Sequence, residues 1–320
     1  MKIKTMLSAA LVAAVMTTGA SAQSFPGGTI TFVVPYGPGG GFDTAVRALA
    51  PYMEEALGND TTIVVQNVAG AGGQRGAAQV ARAEPDGRTI GIFNLPGFVL
   101  PAMLGERMEY DLTELSWIGR LENQDYVLLS RGTSDIRTIE DLLNMDDIVV
   151  TSHGFGSTGL AANQIMFAVM GLEERDPIYV GGYSGTTEAM VGAVRGDGDI
   201  TVSVISSAMS YVNSGDLRPL AVSGNTRIWD DVPTFAEIGL PALTPINLQR
   251  AIAGPPNIPA DRLQALRDAF VTATQNPSFL ETAARANMQV SVLNGEDAAA
   301  EVDTSFNLYN QYRDSLKNPN

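Results

Sequence analysis

The chain has 320 residues, no cysteine and a formal charge of −15. Without thiols it can have no disulfides, no thiolate catalysis and no Cys-ligated metal. Its acidity argues against nucleic acid and anionic membrane surfaces as partners, since both select a basic face. The first element is an export signal. Lys2 and Lys4 precede a mostly apolar run from Met6 to Met16, and Ala20-Ser21-Ala22 supplies small residues for cleavage. The run is too short to span a bilayer. Residues 1–22 therefore read as a signal peptide removed after Ala22, which marks the mature protein for export. The remaining 298 residues carry a charge of −17. They contain no second long apolar run free of charge, so a soluble protein with no direct membrane insertion is expected.

The mature chain opens with a strand over Thr29–Val34, broken by Pro35–Gly41. A helix is expected from Phe42 to Leu57, with Val46, Leu49, Met53 and Leu57 on one face and Gly58 as its stop. Pro51 should kink or divide it. A strand at Ile63–Val65, a helix near Gly76–Ala83 and a strand at Thr89–Phe93 complete a β-α-β-α-β unit with a parallel sheet. The alternation restarts with strands near Asp147–Ser152, Pro177–Val180, Ile200–Ile205 and Arg218–Val222. Helices are expected between them at Thr158–Met170, Thr186–Arg195 and Ala208–Ser214. The last 60 residues read as mostly helical, over Ala260–Thr274, Pro277–Ala286 and Gly295–Tyr312. Two extended segments, Trp117–Ser130 and Pro245–Ala253, are read as crossing between the units. The resulting architecture is two α/β lobes with a cleft between them. Residues 23–125 plus 248–320 form one lobe and 126–247 the other.

Three glycine-rich turns fall at strand-to-helix junctions, where open α/β sheets bind ligands. In Pro35-Tyr36-Gly37-Pro38-Gly39-Gly40-Gly41-Phe42-Asp43, consecutive glycines allow close backbone approach at a helix N-terminus, which suits a carboxylate. The same pattern also fits a flexible turn capped by Asp43. Gly154-Phe155-Gly156-Ser157-Thr158-Gly159 satisfies a dinucleotide pattern, but the next strand ends Tyr179-Val180-Gly181-Gly182 without the acidic residue that reading needs. Gly182-Tyr183-Ser184-Gly185-Thr186-Thr187-Glu188 approaches a nucleophile elbow, but Thr186 stands where the last glycine belongs. One histidine, His153, cannot form a metal site without companions. No coherent catalytic set, cofactor site or metal site is read.

Four segments resemble one family in its own order. They are Val33–Asp43, Val65-Gln66-Asn67-Val68-Ala69-Gly70-Ala71-Gly72-Gly73, Ala83-Glu84-Pro85-Asp86-Gly87-Arg88-Thr89, and Asp231-Val232-Pro233-Thr234-Phe235-Ala236-Glu237-Ile238-Gly239-Leu240-Pro241. The chain is similar to the Bug/TctC solute receptors of tripartite tricarboxylate transporters. That resemblance implies a type II periplasmic binding-protein fold closing on a small organic carboxylate, and delivery to membrane permease subunits by a monomer that is not an enzyme. A periplasmic sensory receptor is the alternative role. The implied ligand-binding residues are Tyr36, Gly39, Gly40, Gly41, Phe42 and Asp43 in the first lobe. In the second they are Ser157, Thr158, Tyr183, Ser184, Gly185, Thr186 and Ser203. Ser203 stands where relatives often keep Asp, and Ser184 where they commonly keep Lys. Together with the rings of Tyr36, Phe42, Phe155 and Tyr183, these departures point to a non-amino mono- or dicarboxylate with an apolar or aromatic body.

Overall fold

The computed structural model describes residues 25–317 apart from 59, 155, 156 and 184. The export signal, Phe155 and Ser184 lie outside the described residues. In chain order the elements are β1 (Gly28–Val34), α1 (Gly41–Leu57), β2 (Thr61–Asn67), α2 (Gln74–Ala81), β3 (Thr89–Leu95), α3 (Leu100–Met103) and β4 (Ser116–Arg131). They continue with α4 (Ile139–Leu143), β5 (Val149–His153), α5 (Thr158–Met170), β6 (Ile178–Tyr183), α6 (Thr186–Arg195), β7 (Ile200–Val204), α7 (Ile205–Asn213) and β8 (Leu217–Val222). The chain finishes with β9 (Asn247–Gly254), α8 (Ala260–Gln275), α9 (Pro277–Arg285), β10 (Val290–Asn294) and α10 (Gly295–Asn310).

The sheet runs in the order β2-β1-β3-β9-β4-β7-β5-β6, with β8 and β10 also paired to β4. β1 lies parallel to β2 and β3, and β5 parallel to β6 and β7, so each half is built from βα units. The antiparallel pair β4 and β9 joins them. Residues Ser116–Asp125 of β4 pair with β9, whereas Tyr126–Arg131 pair with β7 and β8. β4 thus changes partners between Asp125 and Tyr126.

Strand alternation sets the core. On β1, Ile30, Phe32 and Val34 face a layer containing Ala45, Val46, Leu49 and Met53 of α1. Val33 faces the opposite layer with Phe93, Leu95, Phe98 and Trp117. A sheet strand covered on both faces reads as a continuous apolar run, as Thr-Phe-Val-Val does here. The helix α1 packs on α8 and α9.

Three details differ from the sequence reading. First, α1 passes through Pro51 without dividing. Pro51 and Arg47, whose carbonyl loses its partner, both lie on the exposed face, where water can replace the bond. Second, the C-terminal segment contains β10, a short strand along β4 with partly exposed side chains. Third, the segment after α10 returns to the second half. Leu316 is buried, and Gln164 of α5 donates to the Lys317 carbonyl at 2.7 Å. Three stretches of chain therefore link the halves.

Candidate functional site

The strand ends and helix starts of both halves face one cleft of about 1310 Å³. One wall comes from Pro35–Phe42, Ala69–Gln74, Asn94, Leu248 and Arg250. The other comes from Tyr126, Ser157–Gly159, Tyr183, Gly185–Glu188, Val204 and Ser207. The N-termini of α1, α2, α5, α6 and α7 all open onto it. Four of these five have no side-chain cap, their N-cap residues being Gly40, Gly73, Gly185 and Val204. An uncapped first turn leaves N–H donors exposed, and the helix dipole adds partial positive charge there.

The turn between β1 and α1 is braced from behind. Asp43 is 4% exposed and lies outside the cleft lining. Its carboxylate accepts from the Gly39 N–H at 2.8 Å, from Arg47 Nε at 2.9 Å and from Asn67 Nδ2 at 2.9 Å. Asn67 Nδ2 also donates to the Tyr36 carbonyl at 3.1 Å. Burial pushes the Asp43 carboxyl up, but the bonds from Arg47, Gly39 and Asn67 outweigh it and hold the group below the usual carboxylate range. Asp43 therefore organises the turn instead of lining the pocket. Gly39 has φ +80°, a conformation that favours glycine, and the space beyond its Cα is open. Gly41 is crowded instead, because a Cβ there would collide with the guanidinium of Arg250.

Aromatic rings floor this wall. Tyr36 and Phe42 lie with ring centres 4.7 Å apart, and Arg250 sits 4.8 Å above the Phe42 ring. The Tyr36 hydroxyl accepts from Asn94 Nδ2 at 3.0 Å. Burial pushes that hydroxyl up to about 12, with Asn94 and Arg250 opposing the shift. Behind the floor, Arg250 Nη1 bonds Glu122 Oε2 at 2.5 Å, with side-chain exposures of 4% and 0%. Glu122 Oε1 accepts from Gln124 Nε2 at 2.6 Å. Register explains the grouping, since Asn94 on β3, Arg250 on β9 and Glu122 on β4 lie directly opposite one another.

In the second half, Ser157 is the N-cap of α5, its Oγ accepting from the Leu160 N–H at 3.3 Å. Thr158 begins that helix, and Gly185 and Thr186 begin α6. Tyr183 lines the cleft, but its hydroxyl donates to Asp197 at 2.9 Å, beside an Arg195–Asp197 ion pair of 2.6 Å. Ser203 does not reach the cleft. It is fully buried inside β7, opposite Val127, and its hydroxyl turns onto the Val204 carbonyl. The next two inward positions, Val204 and Ser207, line the pocket in its place. The sequence reading missed Arg250, Asn94 and Tyr126. The signal was charge inside the two crossing segments: Arg250 is the one charged residue of Pro245–Ala253, and Glu122 stands with Arg120 and Asp125 in Trp117–Ser130.

A family model described as "Tripartite tricarboxylate transporter family receptor" matches residues 45–307. The chain belongs to the TctC family. Among curated TctC-type relatives, a UPF0065 protein of Agrobacterium vitis is 27% identical over 279 residues, covering 85% of this chain and 79% of its own. The solved structure of the periplasmic binding protein BugD superposes with TM-score 0.77 at 24% identity, covering 91% of this chain and 98% of BugD. MatC of Rhodopseudomonas palustris, solved with bound malate, superposes with TM-score 0.76 at 25% identity, covering 92% and 100%. The family and fold are those of periplasmic substrate-binding receptors. Among the described residues, no helix is long and apolar enough to cross a membrane.

Proposed function

We propose that this protein captures a small organic carboxylate in the periplasm and passes it to the membrane permease subunits of a tripartite tricarboxylate transporter. It acts as a monomeric receptor and not as an enzyme. The reading rests above all on five helix N-termini converging on one cleft in a chain whose net charge is −15. Such a chain repels anions at long range, so its attraction for them must be local, and helix starts supply it. MatC, a family relative solved with malate, supports the same ligand class. Residues 23–125 with 248–320 and residues 126–247 move as two bodies about β4 and the start of β9, with the tail at Leu316–Lys317 resting on the second body, and close on a ligand that touches both walls.

The body of the ligand is apolar or aromatic and carries no ammonium group. Tyr36, Phe42, Leu248 and Val204 offer it apolar surface. A buried ammonium would need a buried acidic partner; the buried Glu122 is already held by Arg250 and Gln124, and the other acids lining the cleft, Glu106 and Glu188, are exposed. A thermal-shift panel of malate, adipate, benzoate, citrate and aspartate tests this reading. A ligand at 100 times its Kd adds about 2.7 kcal/mol of stability. Stabilisation by adipate or benzoate, greater than by malate, is expected. Stabilisation by aspartate or citrate alone would overturn the ligand class proposed.

A further inference from the structure

We infer that Arg250 grips the ligand's carboxylate directly and makes the cleft selective for a planar carboxylate over other anions. The inference rests on the receptor reading above. Two arginines among the described residues are buried, Arg120 and Arg250. Arg120, 8% exposed, has every nitrogen occupied. Its Nε donates to the Ser291 carbonyl at 3.1 Å and its Nη2 to Ser291 Oγ at 3.0 Å, while Nη1 reaches Gln249 Oε1 at 3.4 Å. The half-buried Arg218 likewise donates to the carbonyls of Gly132, Ser134 and Ile136. Those two arginines are structural.

Arg250 is different. It is 4% exposed, yet among the described residues it makes one hydrogen bond, from Nη1 to Glu122. Its Nε is buried with no acceptor among the described residues. Its Nη2 abuts Gly41, the first residue of α1, and both residues line the cleft. A desolvated guanidinium with donors unspent is costly unless something else accepts from them. Two further polar groups lie on the same floor. Asn94 Oδ1 is buried with no partner among the described residues, and the Tyr126 hydroxyl, buried beside the cleft, has only a weak contact with Thr158 at the start of α5. Tyr126 and Arg250 offer donors where the uncapped start of α1 offers N–H groups, a set suited to two carboxylate oxygens.

The surroundings fix how the arginine can act. Glu122, held on its other oxygen by Gln124, takes Nη1 and anchors the guanidinium from behind. The Phe42 ring supports its face, so the planar fork is preorganised toward Gly41. Glu122 also neutralises the charge, which lets the cation stay buried with no ligand present. Gly41 is required for a reason separate from ligand approach, because any side chain there would displace the fork.

The test is calorimetric titration of wild-type protein, Arg250→Lys, and the double variant Glu122→Gln/Arg250→Gln. The probes are malate, adipate, benzoate and benzenesulfonate. The double variant removes both charges together, leaving no unpaired buried ion. Arg250→Lys keeps the ion pair and removes the fork. For the tightest-binding carboxylate, the expected loss of affinity is about 10- to 100-fold in both variants, the loss of a hydrogen bond to a charged group. Benzoate is expected to bind wild type more tightly than benzenesulfonate. Wild-type affinity in the double variant or in Arg250→Lys would show the pair to be purely structural and overturn the inference, leaving the receptor reading intact. Tighter binding of benzenesulfonate would overturn the selectivity. Failure of wild type to bind any carboxylate would overturn both readings.

Discussion

Asp43 illustrates how a residue can shape a site without touching it. Three groups bond its buried carboxylate and fold the glycine turn over it. Replacing Asp43 with Asn should cost about 1–3 kcal/mol at pH 7, the loss of hydrogen bonds to a charged group. Because its folded carboxyl is held below the ordinary value, its contribution is present above about pH 4 and fades as the pH falls further. Stability curves of wild type and Asp43→Asn should therefore converge on acidification from pH 4. Parallel curves would contradict that role. Asp125 has the opposite sign. Burial pushes its carboxyl up to about 6, at the point where β4 changes partners. Between about pH 4 and 6 the folded state holds a proton that the unfolded chain releases, so this group's stabilisation is full below pH 4 and lost as the pH rises through 6. Asp125→Asn should melt higher than wild type at pH 7, with the advantage shrinking toward pH 4. An unchanged melting temperature at pH 7 would contradict the assignment.

The elements were largely legible because their signals are local. Glycine and proline punctuate the strand ends, and Thr158–Met170 and Thr186–Arg195 begin and end where the sequence places them. β10 was not legible, since Val290–Asn294 is short, half-exposed and flanked by helices. Of the site, the glycine turns could be read because they sit at strand-to-helix junctions. Arg250, Glu122 and Asn94 could not be brought together, because their meeting depends on the register of three strands distant in sequence. Ser203 points into the sheet, and the alternation of a strand turns its neighbour Val204 to the cleft instead. Ser157 was read as a ligand contact, and the structure adds a second duty as the cap of α5. Ser157→Ala should cost about 1 kcal/mol of stability and Ser157→Gly only a few tenths. Thermal melts of the two variants check this, and equal losses would contradict the capping role.

At the scale of the whole molecule, the halves share one sheet but meet along a narrow seam. β4 crosses it, the chain crosses back where β9 begins opposite Asp125, and the segment up to Lys317 reaches α5 from the first half. That third passage places Leu316 against α5 and ties the seam at a point away from the strands. Removing residues 314–320 should lower the melting temperature and enlarge the radius of gyration of the ligand-free protein. Small-angle scattering with an unchanged radius would show that the tail does not restrain opening.

The central claim is that a carboxylate binds where helix starts converge between the halves. The most direct measurement is a crystal structure with the tightest-binding acid from the panel. The expected result has its carboxylate oxygens about 2.7–3.1 Å from the N–H groups at the start of α1 and from Arg250, with residues of α5 or α6 closing from the other side. A carboxylate bound outside the cleft, or a ligand held by one wall with its charged end in solvent, would contradict the claim.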